Sequence, residues 1–265
     1  MLPRISKIEC HDADYIVFCT EDLISLTLFQ SGKWEDHILQ ISKFITSGVE
    51  NSLVLDIGAN LGAYAIPMAK YLQQSGGKVI GFEPQRIIYY QLCANIILNR
   101  LDNFHAIYSA IGNECGEIEI PEINYDNNRN IGGFSLDKIY RERLGLEHSM
   151  KKTNTKVPIT KLDQLNLDTP PTLIKIDVEG MELNVIKGGS EFLAASNYPP
   201  ILFEAWNLDW FKSEKDSLFE YLNNIGYSIT SLGADDYLAQ HPLNKILIEF
   251  IINNDGAVTL KKTIR

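Results

Sequence analysis

The sequence predicts an α/β fold built on a doubly wound, mainly parallel sheet. Short apolar runs alternate with stretches of helical periodicity, a pattern that calls for parallel strands joined by right-handed crossovers. A glycine-containing turn follows the first predicted strand of this sheet, as expected where a strand leads into a helix. The last two predicted strands have no helix between them, so the sheet should end in an antiparallel edge.

The N-terminal part is predicted to be an extension packed on the core, consisting of a hairpin plus a helix. It covers residues 1–48, and residues 49–265 form the main domain. Loose alternation over residues 16–28 predicts the hairpin. The helix is predicted from apolar side chains at helical spacing, which are Trp34, Ile38, Ile41 and Ile45.

In the first half of the main domain, three strands alternate with two helices. The strands are predicted at Leu53–Ile57, Lys78–Phe82 and residues 105–110. The first helix ends at Gly76-Gly77. The apolar faces that predict the two helices are Ala65, Met68, Ala69 and Leu72 for the first, and Ile88, Leu92 and Ile96 for the second.

The second half begins with an extended segment at residues 116–121 and a polar stretch at residues 122–155. Connections much longer than about 15 residues are usually functional or mobile, and this stretch is predicted to be an inserted, partly helical cover over the substrate. The remaining strands are predicted at residues 156–160, 172–178 and 201–205, the helices at 183–187 and 218–222, and a closing strand pair at 227–231 and 245–252.

The turn after the first sheet strand has the features of a cofactor cradle. Residues 53–62 read L-V-L-D-I-G-A-N-L-G, with Asp56 in the strand and Gly58, Ala59 and Asn60 in the turn. Glycine lets a ligand approach the backbone, and the next helix offers free N–H groups. A dinucleotide fingerprint, G-x-G-x-x-G, would have glycine in place of Asn60, and Asp56 would repel a pyrophosphate. The turn therefore predicts S-adenosylmethionine, whose sulfonium and ammonium groups are cationic.

A second carboxylate follows the next strand, where Lys78–Phe82 runs into Glu83 and Pro84. An acidic residue at this place of a βαβ unit binds the two ribose hydroxyls of a nucleoside. Nicotinamide sites use the same contact, so Glu83 alone does not decide between the two cofactors.

The densest charge in an apolar context is I-K-I-D-V-E-G-M-E, residues 174–182. Because side chains alternate along a strand, Lys175, Asp177 and Glu179 should point to one side. A lysine inside a central strand needs a partner, and we expect it to pair with Asp177 or Asp56. Asp177 should lie at the C-terminal end of its strand, where open α/β sheets bind ligands. Glu182 is expected to cap the next helix.

The fifth strand also ends in a carboxylate, Glu204, and Asn207 follows it. Methyl transfer to an alcohol requires alignment of the reactants and removal of a proton, so a carboxylate base is expected. The candidate catalytic residues are Asp177, Glu179 and Glu204. Alternatively, oxygens of Asp177, Glu204 and Asn207 could hold Mg²⁺, although no metal site is assigned. His148 is the histidine that falls in the predicted cover.

Composition limits the partners of the chain. The 24 basic and 34 acidic residues give a formal charge of −10, which opposes binding to nucleic acid. No apolar run is long enough for a membrane span, the first residues lack a secretory apolar core, and the four cysteines lack zinc-ligand spacing. These features predict a cytoplasmic protein with neither a nucleic-acid nor a membrane partner. They are compatible with a homo-oligomer.

Taken in order, the motifs resemble those of the FkbM-type S-adenosylmethionine-dependent methyltransferases. The matching pieces are S-G-K-W-E at 31–35, V-L-D-I-G-A-N-L-G at 54–62, G-F-E-P at 81–84, A-I-G at 110–112 followed by G-E-I-E, N-I-G-G-F-S-L at 130–136, and L-I-K-I-D-V-E-G-M-E at 173–182 with V-I-K-G-G after it. The resemblance covers residues 32–207. It implies the Rossmann-like class I methyltransferase fold, a doubly wound seven-stranded sheet with an antiparallel last strand.

The resemblance also implies O-methylation of small hydroxylated molecules, commonly sugars or polyketide-like metabolites. The residues matched to cofactor binding are Asp56, Gly58, Ala59, Asn60, Glu83, Pro84, Ser109 and Asp177. Among them, Asp56 and its turn would hold the methionine part, Glu83 the ribose, and Ser109 would flank the adenine; Asp177 would lie near the methyl group. Two alternatives stay open: a cofactor-binding module without turnover, since no base is identified from sequence, and a nicotinamide-dependent oxidoreductase, which Asn60 disfavours.

Overall fold

The computed structural model describes residues 2–125, 131–146, 150–252 and 258–265. Within these ranges the chain forms one seven-stranded sheet, with helices on both faces, and three small accessory sheets. The described helices include none that is long and apolar enough to cross a membrane. The N-terminal part contains β1 (Ile5–Glu9), β2 (Asp14–Phe18), α1 (Leu23–Ser31) and α2 (Asp36–Thr46).

The elements that follow alternate as the sequence predicts for an α/β protein. The first group is β3 (Leu53–Ile57), α3 (Ala65–Gln73), β4 (Lys78–Phe82), α4 (Arg86–Leu98), β5 (Phe104–Ile107), β6 (Ala110–Ile111), β7 (Gly116–Ile123) and α5 (Lys138–Arg143). The second group is β8 (Met150–Thr160), β9 (Leu173–Ile176), α6 (Glu182–Lys187), α7 (Ser190–Ala195), β10 (Ile201–Glu204), α8 (Lys212–Asn224), β11 (Ser228–Gly233), β12 (Asp236–Gln240), β13 (Ile246–Ile252) and β14 (Val258–Ile264).

The main sheet has the strand order β5-β4-β3-β9-β10-β12-β11. The five strands from β5 to β10 are parallel, and β12 runs antiparallel to both of its neighbours. The order reverses between β3 and β9, which is where open α/β sheets bind ligands, outside the carboxyl ends of the strands. The predicted doubly wound, seven-stranded sheet with an antiparallel last strand is confirmed.

Two predicted strand pairs are wrong. The N-terminal hairpin is β1 with β2 rather than residues 16–28, and the second half of that stretch enters α1. This helix begins there because the Asp22 carboxylate accepts a hydrogen bond from the Ser25 backbone N–H at 3.0 Å. The closing pair of the sheet is β11 with β12, whereas residues 245–252 belong to the separate hairpin β13–β14.

The region predicted as a cover contains strands as well as a helix. β7 runs to Ile123 and β8 begins at Met150, so both enter the accessory sheet β6-β8-β7. α5 lies between them, and the Asp137 carboxylate caps it by accepting from the N–H of Ile139 at 2.7 Å. His148 of the predicted cover lies outside the described residues, as do residues 126–130.

Alternation along the central strands divides the apolar side chains between two cores. Val54 of β3 and Leu173 of β9 join the core on the side of the N-terminal extension, whereas Leu55 joins the core on the opposite face of the sheet. Asp56 and Lys175 follow Val54 and Leu173 by two positions and share their face. The sheet therefore turns polar residues toward the side that the N-terminal extension covers.

Candidate active site

A cavity of about 800 Å³ opens at the carboxyl ends of the central strands. Its size is in the range of small-molecule sites, roughly 300–1,000 Å³. The structure brings all the predicted site residues to its wall, namely Asp56, Gly58, Ala59, Asn60, Glu83, Pro84, Ser109, Asp177, Glu179 and Glu204. Ser109 donates its hydroxyl to the carbonyl oxygen of Ala110 at 2.9 Å.

The turn after β3 is fixed by close backbone contacts. The N–H groups of Gly58 and Ala59 both donate to the Phe82 carbonyl oxygen, at 3.0 and 2.9 Å. Gly58 has a φ of +93°, and a Cβ on it would lie 1.8 Å from the carbonyl oxygen of Asp177. Glycine is therefore required for the loops after β3 and β9 to meet. Asn60 also has a positive φ, of 50°, which asparagine tolerates better than most residues.

Asp56 presents a buried carboxylate without a full set of partners. It is 1% exposed, and its Oδ1 has no hydrogen-bond partner. Burial raises the pKa of Asp56 to about 6, although the charge of Lys175, its neighbour in the sheet register, acts to lower it. An unsatisfied acceptor in the wall of a cavity fits a ligand that supplies a cationic donor, such as the ammonium group of S-adenosylmethionine.

Glu83 is held by the backbone on both of its oxygens. It is 5% exposed and accepts from the Asn60 N–H at 2.9 Å and the Gln85 N–H at 2.7 Å. Each carboxylate oxygen keeps a second acceptor position, which suits ribose hydroxyls. Burial raises the pKa of Glu83 to about 8, while the two backbone N–H groups act in the opposite direction.

We expect Glu83 to make the stability of the free protein depend on pH. Its pKa is raised from 4.5 in the unfolded chain to about 8 in the folded protein, so the folded state binds the proton more tightly. Its contribution is complete below pH 4.5 and is lost as the pH rises through 8. Between pH 6 and 8 the loss amounts to about 2 kcal/mol. Urea unfolding of the wild type and of Glu83→Gln across this pH range measures this loss. If the free energy of unfolding changed with pH in the same way for both proteins, the assignment to Glu83 would be contradicted.

Lys175 is a buried cation among the carboxylates at the carboxyl ends of β3, β9 and β10. Its side chain is 8% exposed, and Nζ donates to Asp177 Oδ2 at 2.9 Å and lies 3.8 Å from Glu35 Oε2. The predicted pairing with Asp177 is confirmed, and Glu35 is an additional partner. Burial acts to lower the pKa of Lys175, but the charges of Asp177, Glu35 and Asp56 outweigh it and keep the pKa well above its usual value.

The three candidate catalytic carboxylates lie together. Asp177, Glu179 and Glu204 form the acidic cluster of the site. Each offers an oxygen within 4.8 Å of the others, a spacing that also suits a divalent cation. Burial, followed by the charge of Asp177, raises the pKa of Glu179 and raises that of Glu204 to about 9. Glu182 supports the loop after β9, which carries Asp177 and Glu179. Its Oε1 accepts from the N–H groups of Val178 and Gly180 at 3.1 and 3.2 Å.

Asn207 does not join this cluster, and its expected convergence with Asp177 and Glu204 is wrong. Its amide nitrogen donates to the Ala234 carbonyl oxygen at 2.7 Å and to Asp235 Oδ1 at 2.5 Å, and its side-chain oxygen accepts from Lys215. These bonds hold Asn207 at the protein surface, where it is exposed and does not line the cavity.

The N-terminal extension also reaches the cavity, which sequence reasoning missed. Trp34 and Glu35 are part of the cavity wall. Both belong to S-G-K-W-E, a segment that the resemblance contains but to which no role was given. One signal was present: Glu35 stands directly before α2, at the position where Ser, Thr, Asp or Asn is preferred as a cap.

Comparison with known proteins assigns the family. The model of the methyltransferase FkbM domain matches residues 56–229. A curated relative, methyltransferase sdnD of Sordaria araneosa, is 23% identical over an alignment of 244 residues, and the alignment covers 84% of this chain and 90% of the relative.

Solved structures of methyltransferases are also similar to this chain. Methyltransferase FkbM from Methylobacillus flagellatus KT gives a TM-score of 0.47 at 19% identity, over 75% of this chain and 47% of that chain. The tRNA (uracil-54, C5)-methyltransferase of Pyrococcus abyssi, in complex with S-adenosyl-L-homocysteine, gives a TM-score of 0.44 at 10% identity, over 89% of this chain and 43% of that chain. The chain thus spans about half the length of these two proteins.

The family model covers more than half of the chain and includes the β3 turn, Glu83 and the acidic cluster. The chain therefore belongs to the FkbM family of methyltransferases, and its cofactor is S-adenosylmethionine.

Proposed function

We propose that this methyltransferase methylates a hydroxyl group on a small molecule such as a sugar or a polyketide-like metabolite. The observation that carries the proposal is the carboxylate cluster of Asp177, Glu179 and Glu204 in the wall of the cavity that contains the β3 turn. An alcohol must lose its proton when it is methylated, and an ionised carboxylate of this cluster is suited to take that proton.

In this proposal the two halves of the cavity have separate tasks. Asp56, Gly58, Ala59 and Asn60 would hold the methionine part of S-adenosylmethionine, Glu83 and Pro84 the ribose, and Ser109 would flank the adenine. The bound cofactor supplies an electrophilic methyl group. The carboxylates of the acidic cluster would orient the acceptor hydroxyl and accept its proton, so the main contribution of the chain is alignment.

The proposed partner and location follow from charge and cysteine chemistry. A formal charge of −10 favours a small-molecule acceptor over a nucleic acid. A cytoplasmic location is supported by the four cysteines, which are all unpaired.

Calorimetry with S-adenosylhomocysteine tests the cofactor half. Glu83→Ala should weaken binding by about 10- to 100-fold, because it removes the acceptor of the ribose hydroxyls and leaves the N–H groups of Asn60 and Gln85 without a partner. Glu191→Ala is the control, since Glu191 is exposed on α7 and should leave binding unchanged. Unaltered binding in Glu83→Ala would contradict the ribose assignment.

Product analysis tests the reaction itself. S-adenosylmethionine is incubated with the wild type and a panel of neutral glycosides, sugar nucleotides and hydroxylated macrolactones, and methyl ethers are sought by mass spectrometry. O-methylated products with at least one of these classes are expected. Tight binding of S-adenosylhomocysteine without any methylated product would favour a binding module without turnover.

A further inference from the structure

The strand register places a row of polar residues on the sheet face that the N-terminal extension covers. Asp56 of β3 is paired in register with Lys175 of β9, and Asp177 follows Lys175 by two positions on the same face. In β10, Leu202 packs in the core on the extension side, so Glu204, two positions later, also shares this face. The N-terminal extension therefore supplies part of the surface that faces this row of polar residues.

Glu35 is the residue of the extension that meets this row, and its backbone is strained there. Its φ of 45° is in the left-handed region, which is unfavourable for a non-glycine residue. It occupies the N-cap of α2, yet its side chain makes no capping hydrogen bond. The chain therefore tolerates an unfavourable residue and conformation without gaining a helix cap, as often occurs at functional sites.

The carboxylate of Glu35 is turned toward the cavity instead. It lines the cavity next to Trp34, its side chain is 23% exposed, and Oε2 lies 3.8 Å from Lys175 Nζ. Burial raises the pKa of Glu35 to about 7, with the charge of Lys175 acting to lower it. The group is thus close to the acidic cluster without being bonded to any of its carboxylates.

The charges of the cavity wall determine which acceptors fit beside Glu35. Among the described residues that line it, the cationic side chains are Lys175 and Lys138. Lys175 is buried among its carboxylate partners, whereas Lys138 is exposed and lies 3.5 Å from Glu142. The cation beside Glu35 is therefore already paired, so phosphate or carboxylate groups of an acceptor placed there would meet the negative charges of Glu35 and the acidic cluster.

We propose that Glu35, supplied by the N-terminal extension, is an acceptor-binding residue that takes a hydroxyl or ammonium donor of the acceptor and excludes acceptors carrying phosphate. The proposal rests on the proposed function and deepens it, because it separates neutral and amine-bearing glycosides from sugar nucleotides. It also assigns a role in specificity to a segment outside the residues matched by the family model.

Two cofactor analogues test the position of Glu35 without any acceptor. S-adenosylhomocysteine lacks the methyl group, whereas sinefungin carries an amine in its place. The ratio of the two affinities therefore measures how much negative charge of the protein lies next to the position of the methyl group. At pH 8, Glu35→Gln should weaken sinefungin by about fivefold and leave S-adenosylhomocysteine unchanged. Asp36→Asn, which removes a neighbouring carboxylate from an exposed pair with Lys33, should change neither. An equal loss for both analogues, or no loss, would overturn the role of Glu35.

Two further measurements separate this role from a structural one. Glu35→Asn removes the carboxylate but suits the left-handed backbone, so it should reproduce the sinefungin effect without lowering the melting temperature. With the acceptor panel, the wild type should methylate glycosides and aminoglycosides but not their phosphorylated or nucleotide-linked forms, and Glu35→Gln should raise KM more than it lowers kcat. The proposal would be overturned if sugar nucleotides were the only acceptors that the wild type methylates. No turnover at all would contradict the proposed function, and the sinefungin ratio would still decide the position of Glu35.

Discussion

Gly58→Ala should destabilise the protein by about 3 kcal/mol and weaken S-adenosylhomocysteine binding by about 100-fold. The added Cβ would lie 1.8 Å from the carbonyl oxygen of Asp177, so the loops after β3 and β9 would have to separate. Backbone strain at the positive φ costs about 1–2 kcal/mol, and forced displacement of a packed neighbour costs about 1–3 kcal/mol. A 100-fold loss of affinity corresponds to about 2.7 kcal/mol, and it is expected because the β3 turn moves when the two loops separate.

Gly48→Ala provides the matched control for this substitution. Gly48 also has a positive φ, of +68°, but a Cβ on it would meet nothing within 4 Å. It should therefore show the backbone cost alone, about 1 kcal/mol, and unchanged binding. Chemical unfolding and calorimetry on both variants separate the cost of the positive φ from the cost of the contact with Asp177. If the two variants behaved alike, the contact between the β3 turn and the Asp177 loop would not matter for the site.

The strand ends that carry chemistry could be predicted because a parallel sheet brings its carboxyl ends to one edge. Asp56, Glu83, Asp177 and Glu204 each end or follow a short apolar run, so recognising the strands was enough to group them, and all four line one cavity. The same reasoning failed for Asn207, because the chain turns away after β10 and the loop before β12 holds the amide.

Other features depended on contacts between distant segments. β12 has only five residues, with polar Asp236 and Gln240 at its ends, so it has no periodicity that marks a strand; its place is set by pairing with β10 and β11. Residues 245–252 have the stronger strand pattern, but β14 pairs with them instead of the main sheet. Likewise, nothing local to Glu35 indicates that its carboxylate meets Lys175 across the sheet face.

Lys175→Met should destabilise the protein by about 3 kcal/mol at pH 8, since removing one partner of a buried ion pair leaves the other charges uncompensated. The carboxylates left behind are Asp177, Glu35 and Asp56, the last of which is 1% exposed. The pKa values of Glu35 and Asp56 are already raised, to about 7 and about 6, and should rise further without the lysine. An acid with a raised folded pKa gives stability at low pH that is lost as pH rises, so the loss should be smaller at pH 5.5. Urea unfolding at the two pH values measures this difference.

A second substitution shows whether the carboxylate of Glu35 carries part of this cost. In the Lys175→Met background, Glu35→Gln removes an uncompensated charge and should restore about 1 kcal/mol at pH 8, whereas in the wild type it removes a partner of the lysine and should not stabilise. Lys138→Met is the control, because that side chain is 79% exposed and its loss should change stability by less than about 0.5 kcal/mol. A restoring effect confined to the lysine-free background would place Glu35 and Lys175 in one electrostatic unit. Purely additive effects would instead mean that the N-terminal extension and β9 stabilise the protein independently, with the 3.8 Å approach contributing nothing to the free energy of unfolding.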